Sequence, residues 1–170
     1  MSTDREKLHY AIGEAHLGTV IVAVSEAGVA GLLIADDETR ALRDLRTAFP
    51  DAQLIADESI AGEALAAAIA VVDAPHRAFA LPLDLRGSAQ ELAVWQALRT
   101  IPSGQTRSYG TLAKSVEMTI TAQEVGAACA ANRIAVVIPC HRVVKADGGI
   151  SGYRWGVHRK RKLINMEGVA

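Results

Sequence analysis

Three short runs near the start of the chain, Leu8–Ile12, Thr19–Val24 and Val29–Ile34, carry most of its early β-branched residues and are punctuated by Gly13, Gly18 and Gly28. Runs of that length bounded by glycine read as strands, and Ser25-Glu26-Ala27-Gly28 fits a hairpin loop. The chain is therefore committed to a sheet before its first helix. The period then changes. Ala41, Leu42, Leu45 and Ala48 fall at helical spacing within Asp36–Ala48, and Pro50 stops that helix. Glu58–Val72 reads as a second helix, rich in alanine, and Asp73–Asp84, with Pro75 and Pro82, reads as a linker.

The second half is mostly helical. Ser88-Ala89-Gln90-Glu91 has the form of a capping box ahead of a helix carrying Leu92, Trp95 and Leu98. Ile101–Thr106 holds Pro102 and Gly104 and must turn, and Ser108 can cap a short helix through Lys114. Thr121-Ala122-Gln123-Glu124 is a second capping box, opening a helix that runs to Asn132 with an almost smooth alanine and glycine surface. Ile134–Ile138 reads as a short buried strand ending at Pro139-Cys140, and His158–Met166 as a basic last helix. Two short helices joined by a turn, the second smooth, suggest a helix-turn-helix, although smooth helices also occur wherever helices pack closely.

Charge divides the chain at the same place. Residues 1–85 carry 14 acidic and 6 basic side chains, a net of −8, and residues 86–170 carry 5 acidic and 12 basic, a net of +7. Within 133–162 there are 8 basic residues and 1 acidic. Such asymmetry suits a C-terminal half that meets a polyanion, or two halves that attract each other. The longest apolar run, Ala64–Val72, is too short for a membrane helix, and the N-terminus lacks the basic-then-apolar pattern of a secretory signal. The expectation is a cytoplasmic protein without a membrane partner. Two cysteines, Cys129 and Cys140, make neither a disulfide framework nor a four-ligand zinc site.

The chemistry concentrates in Ile138-Pro139-Cys140-His141-Arg142-Val143-Val144. An imidazole or a cation beside a thiol lowers its pKa, and a thiolate is a soft nucleophile toward alkyl carbon or acyl groups. An adjacent Cys-His pair is weak evidence alone, since most cysteines are small core residues.

The wider pattern is more specific. Asp84-Leu85-Arg86-Gly87, Val94-Trp95-Gln96-Ala97-Leu98, Ile101-Pro102-Ser103-Gly104, Ser108-Tyr109, Ala130-Ala131-Asn132, the 138–144 string and Ser151-Gly152-Tyr153-Arg154-Trp155-Gly156-Val157 occur in a family-like order and spacing. On these segments the chain closely resembles the O6-alkylguanine-DNA alkyltransferases, in particular the C-terminal part of the adaptive-response (Ada-type) proteins. The resemblance implies an α+β chain. It would have a small ribonuclease-H-like domain over 1–83, and a mostly helical catalytic domain with a winged helix-turn-helix over 84–170.

It also implies single-turnover DNA repair, in which an alkyl group passes from O6 of guanine to Cys140. His141 would act as base through a water, Glu167 would orient it, and Asn132 would tie the helix-turn-helix to the active-site segment. Tyr109 would donate to the guanine ring as it leaves. The carbonyls of Cys140 and Val143 would read the base's amino group and the backbone of Arg154 would face O6, with Tyr153 and Ser151 also at the substrate. Thr121, Gln123, Ala127 and Arg142 would meet double-stranded DNA through the minor groove. The resemblance implies a monomer that needs no cofactor and no metal. Physical chemistry agrees: O6 is inaccessible in a stacked duplex, so the base must be flipped, and a departing guanine anion needs a donor.

Three departures touch DNA handling. Gln123 stands where the family carries an arginine nine residues before the asparagine, and Glu124 follows it. Gln90 stands where phenylalanine is usual, and Glu117-Met118-Thr119-Ile120 replaces a Gly-x-Pro turn. These leave open a self-alkylating protein, engineered or divergent, that acts on small O6-substituted guanines with weakened DNA binding. A binder of alkylated bases that transfers nothing is the third reading. Cys129, one turn before Asn132, reads as packing.

Overall fold

A computed structural model describes residues 5–168, and the chain divides into two compact units. One is made of the residues through Asp73 together with Phe79–Asp84; the other is made of Ala74–Ala78 and the chain from Leu85 onward.

In the first unit β1 (Lys7–Ala15), β2 (Gly18–Ser25) and β3 (Gly28–Ala35) form an antiparallel meander, because each reversal is a glycine-bearing turn too short for any other return. The predicted hairpin loop at Ser25–Gly28 is the β2–β3 turn. α1 (Glu38–Ala48) is capped by the Asp37 side chain, which accepts from Arg40 N, and it ends before Pro50. A fourth strand, β4 (Gln53–Ala56), lies parallel to β1, with Leu8 beside Leu54, and completes the order β3-β2-β1-β4. Its four residues, Gln-Leu-Ile-Ala, carry too little pattern to have been read from the sequence.

α2 (Glu58–Asp73) packs on β1 and β2 through Ala61, Ala64, Ala68, Val71 and Val72, and α1 packs on β2 and β3 through Ala41 and Leu45. The predicted linker is a coil whose end is tied down within this unit. Val29 N donates to Pro82 O at 2.9 Å and Asp84 N to Val29 O at 2.8 Å. Gly28 has φ +145°, and a Cβ there would stand 2.4 Å from the Pro82 carbonyl oxygen. Gly28→Ala must therefore strain the backbone, at ~1–3 kcal/mol, and also dislodge that segment. We expect a clear fall in the urea midpoint with an unchanged slope.

The first helix of the second unit is α3 (Ala89–Leu98), and its predicted capping box is present on both sides: Ser88 Oγ accepts from Glu91 N, and Glu91 accepts from Ser88 N. α4 (Tyr109–Ser115), capped by Ser108, and α5 (Ala122–Ala130), capped by Thr121 with Glu124, are joined by residues 116–121. Both pack on α3, which donates from Trp95 Nε1 to Ala128 O at 2.9 Å. A two-residue strand β5 (Arg107–Ser108) pairs in parallel with β6 (Val143–Val144), and α6 (Val157–Met166) closes the unit. Among the described residues, no helix is long and apolar enough to cross a membrane.

One expectation fails. Residues 134–138 form a buried turn, not a strand. Their apolar, β-branched content correctly signals burial, but Asn132 decides the geometry. Its Oδ1 accepts from Ile134 N at 2.9 Å and its Nδ2 donates to Ile138 O at 3.1 Å, drawing the two ends of the run together. Val136 is forced to φ +67°, a left-handed conformation that a β-branched residue adopts only under constraint.

Candidate active site

The turn held by Asn132 delivers Cys140 into the interior as the first residue of a single 3₁₀ turn, Cys140–Arg142. Cys140 is 3% exposed and His141 fully buried. Asn132 Nδ2 reaches Cys140 Sγ at 3.4 Å, so one amide both shapes the turn and meets the sulfur. Burial pushes the Cys140 thiol up, against the pull of the Asn132 bond and of the positive charges of Lys160 and Arg154. The resting group is therefore a neutral thiol. The lowered pKa expected from the Cys-His adjacency is absent, because desolvation outweighs the neighbouring charge.

The neighbouring imidazole is neutral as well. Burial lowers the His141 pKa, more than the Glu167 carboxylate raises it, and keeps the ring neutral. Its Nε2 lies 2.7 Å from Glu167 Oε1. Desolvation alone would raise the Glu167 pKa; bonds from His141, Arg142 and Ser103 overcome it and hold the carboxyl at about 2. An ionised carboxylate can only accept, so the Nε2 proton belongs to that bond and Nδ1 carries the lone pair. Nδ1 is buried and has no protein partner among the described residues.

Arg142 is corrected by the structure. Read from the sequence as a DNA contact, it is 8% exposed and its guanidinium is spent inside: Nε donates to Glu167 Oε2 at 2.9 Å, Nη1 to Ile101 O at 2.6 Å and Nη2 to Glu167 Oε2 and Pro75 O. No face is left for a phosphate. The basic count of 133–162 shrinks in the same way. Arg142, Arg159 and Lys160 are buried, Arg133 is half-buried with Nη1 donating to Arg86 O, and only Lys145, Arg154, Arg161 and Lys162 are exposed.

The remaining predicted residues fall into two groups. Around the sulfur, Tyr153 sets its ring edge-on between His141 and Trp155, with a buried hydroxyl that has no partner, and the Arg154 guanidinium donates to Asn132 O. Val143 is buried, and its N–H donates to Cys140 O. Tyr109, at the start of α4, bonds through its hydroxyl to Ser151 Oγ.

On α5, Thr121, Gln123 and Ala127 are exposed, whereas Val125 and Ala128 face inward. Glu124 is tied into the capping box: its carboxylate accepts from Thr121 N and its own N donates to Thr121 Oγ1. Cys129 is half-buried, and burial pushes its thiol far up, leaving it inert.

Lys160 is the residue that the sequence did not disclose. It lies in a helix segment of four consecutive basic residues, Arg159–Lys162, and nothing local distinguishes it. Yet it is fully buried, with Nζ donating to Ser151 Oγ at 2.9 Å and to Gly152 O at 3.3 Å. Among the described residues, no three metal-ligating side chains cluster.

The site is thus a buried thiol followed in the chain by an imidazole that is hydrogen-bonded to a carboxylate, on a mixed α+β chain. Residues 89–169 match the family described as 6-O-methylguanine DNA methyltransferase, DNA binding domain. The chain is 31% identical over 141 residues to the inducible methylated-DNA–protein-cysteine methyltransferase of Bacillus subtilis, covering 81% of this chain and 79% of that one. It is 42% identical over 160 residues to the bifunctional transcriptional activator/DNA repair enzyme Ada of Escherichia coli, covering 94% of this chain and 45% of Ada.

Among solved structures, the Mycobacterium tuberculosis OGT in complex with DNA superposes with a TM-score of 0.77 at 32% identity, over 94% of this chain and 92% of that one. The chain belongs to the methylated-DNA–protein-cysteine methyltransferase family. It spans about half the length of the first curated relatives it matches, 45% of the E. coli protein and 46% of its Salmonella counterpart.

Proposed function

We propose that the protein repairs DNA directly, by moving an alkyl group from O6 of guanine to Cys140 in a single turnover. The observation that carries this reading is the Cys140 sulfur, bonded to Asn132 and followed by the His141–Glu167 pair, in a chain of this family. His141 Nδ1, through a water, takes the thiol proton as sulfur attacks the alkyl carbon. The S–C bond forms, the C–O6 bond breaks and its electron pair stays on guanine. Tyr109 donates to the ring as that charge develops, and the base ends neutral by taking up one proton, matching the one lost by the thiol. The Asn132 bond and the charges of Lys160 and Arg154 favour the sulfur while it is anionic. A thioether is a poor leaving group, so nothing regenerates the thiol.

The reading extends to the partner. The exposed face of α5, with Gln123 and Ala127, suits close approach to a minor groove by a flipping protein, since small side chains leave room for the phosphate walls. It takes residues 1–83 as a ribonuclease-H-like domain and 84–170 as the catalytic domain. The α4–turn–α5 segment would be its winged helix-turn-helix, and the protein a cytoplasmic monomer. Arg142 leaves the list of DNA contacts. Gln123→Arg should tighten binding to a duplex and steepen its dependence on log salt by about one unit, because one further cation meets phosphate. Titrations at several salt concentrations measure it, and parallel lines for both proteins would mean that α5 does not face the backbone.

The deciding experiment is intact-protein mass after mixing with a duplex carrying one O6-methylguanine. A gain of about 14 Da is the expected result. A gain only with free O6-benzylguanine would mean that the thiol works without DNA, and no gain with either would end the repair reading.

A further inference from the structure

The hydroxyl of Tyr109 is not free in this structure; it shares a hydrogen bond with Ser151 Oγ, and Ser151 Oγ in turn accepts from Lys160 Nζ at 2.9 Å. Lys160 comes from α6, Ser151 from the loop before it and Tyr109 from the start of α4, so three separate segments converge on one chain of bonds. Lys160 is wholly enclosed and its ammonium lies 5.9 Å from the Tyr109 ring centroid. A buried lysine held in this way needs a reason, because a leucine or methionine would fill the space without the desolvation cost.

We infer that Lys160 and Ser151 are positioning residues that set the direction of the Tyr109 proton. An ammonium has protons and no lone pair, so in the Lys160–Ser151 bond Ser151 Oγ must accept. Ser151 Oγ keeps one proton and a second lone pair, and with the Lys160 ammonium already donating to it we place the Ser151 proton on the Tyr109 oxygen, the arrangement that spares Ser151 a second donor. With its oxygen already accepting, the Tyr109 proton is turned away from Ser151. Tyr109 is thereby presented to an incoming base as a donor before the base arrives, and the reorientation cost is met in folding. No proton need move along the chain; the relay fixes which atom donates.

This inference rests on the repair reading for what Tyr109 donates to, while the bond direction itself does not depend on any substrate. Ser151→Ala removes the link and leaves Lys160 its bond to Gly152 O. The first readout needs no DNA. The Tyr109 Cζ chemical shift is followed against pH in 13C-tyrosine-labelled protein, where Tyr10 and Tyr153 complete the set of three tyrosines. The Tyr109 phenol should titrate at higher pH in Ser151→Ala, since burial already raises it and the Ser151 bond opposes that rise. An unmoved Tyr109 titration overturns the relay.

The second readout is a double-mutant cycle on the single-turnover transfer rate. Ser151→Ala should slow transfer about 10-fold, as loss of one hydrogen bond at the donor would. In a Tyr109→Phe background the same substitution should change nothing further, because both act through one hydroxyl. Additive losses would show that Ser151 acts by another route and would overturn the relay. Absence of transfer by the unmodified protein would count against the repair reading, and the Tyr109 titration would still decide the relay.

Discussion

Cys140→Ala should abolish covalent transfer, with no mass gain after any exposure to an O6-alkylated guanine, while leaving the fold intact. The two halves of that expectation have different causes. The reaction needs a soft nucleophile that keeps the alkyl carbon, and the other cysteine, Cys129, is held as an inert thiol by burial. Removing one sulfur from a site 3% exposed leaves a small cavity and frees Asn132 Nδ2 of a long bond, while its bond to Ile138 O at 3.1 Å remains. Stability should therefore change by about 1 kcal/mol or less. The variant should still bind an alkylated duplex and hold it without turnover. Labelling at the normal rate by Cys140→Ala would refute the assigned acceptor.

Glu167→Ala should be the most damaging single substitution in the second unit. Its carboxylate, with no exposed surface, answers both His141 at 2.7 Å and the Arg142 guanidinium. Removing it leaves a buried cation without its counter-ion, a loss of about 3–5 kcal/mol. It also frees the His141 ring to turn, so transfer should fall even in the folded fraction.

The pH dependence follows from the same pair. Glu167 has its folded pKa depressed to about 2, so its contribution to stability is complete above the unfolded carboxylate range and is lost as pH falls through the folded value. His141 is also depressed, so the folded state favours its neutral form, and that contribution begins to be lost once pH drops below the unfolded imidazole value of about 6.5. Denaturant midpoints measured from neutral pH down to pH 3 should fall in two stages, the first due to His141. Glu167→Gln should shrink the later stage. A flat profile in the native protein would contradict the buried pair.

What could be read from the sequence was what is settled within a few residues. Both capping boxes, at Ser88 and Thr121, were legible because the donor, the acceptor and their spacing are contiguous, and the first three strands were marked by their own glycines. The 134–138 turn was not, since an apolar run shows burial but not direction, and the direction is set by the Asn132 side chain from outside the run. Arg142 and Lys160 were misread or missed for one reason. Whether a cation faces solvent depends on partners 25 and 9 residues away, Glu167 and Ser151, and no local pattern records them.

The start of α5 separates two adjacent residues in a way that bears on how such a protein can change. Gln123 is exposed and its side chain lies outside the capping box, whereas Glu124 closes it. A charge introduced at 123 leaves the cap of α5 untouched. A carboxylate removed at 124 breaks the reciprocal bonding with Thr121 and weakens the start of the helix. The residue beside the cap can therefore change at little structural cost, whereas the one that closes it cannot change without loosening the first turn of the helix.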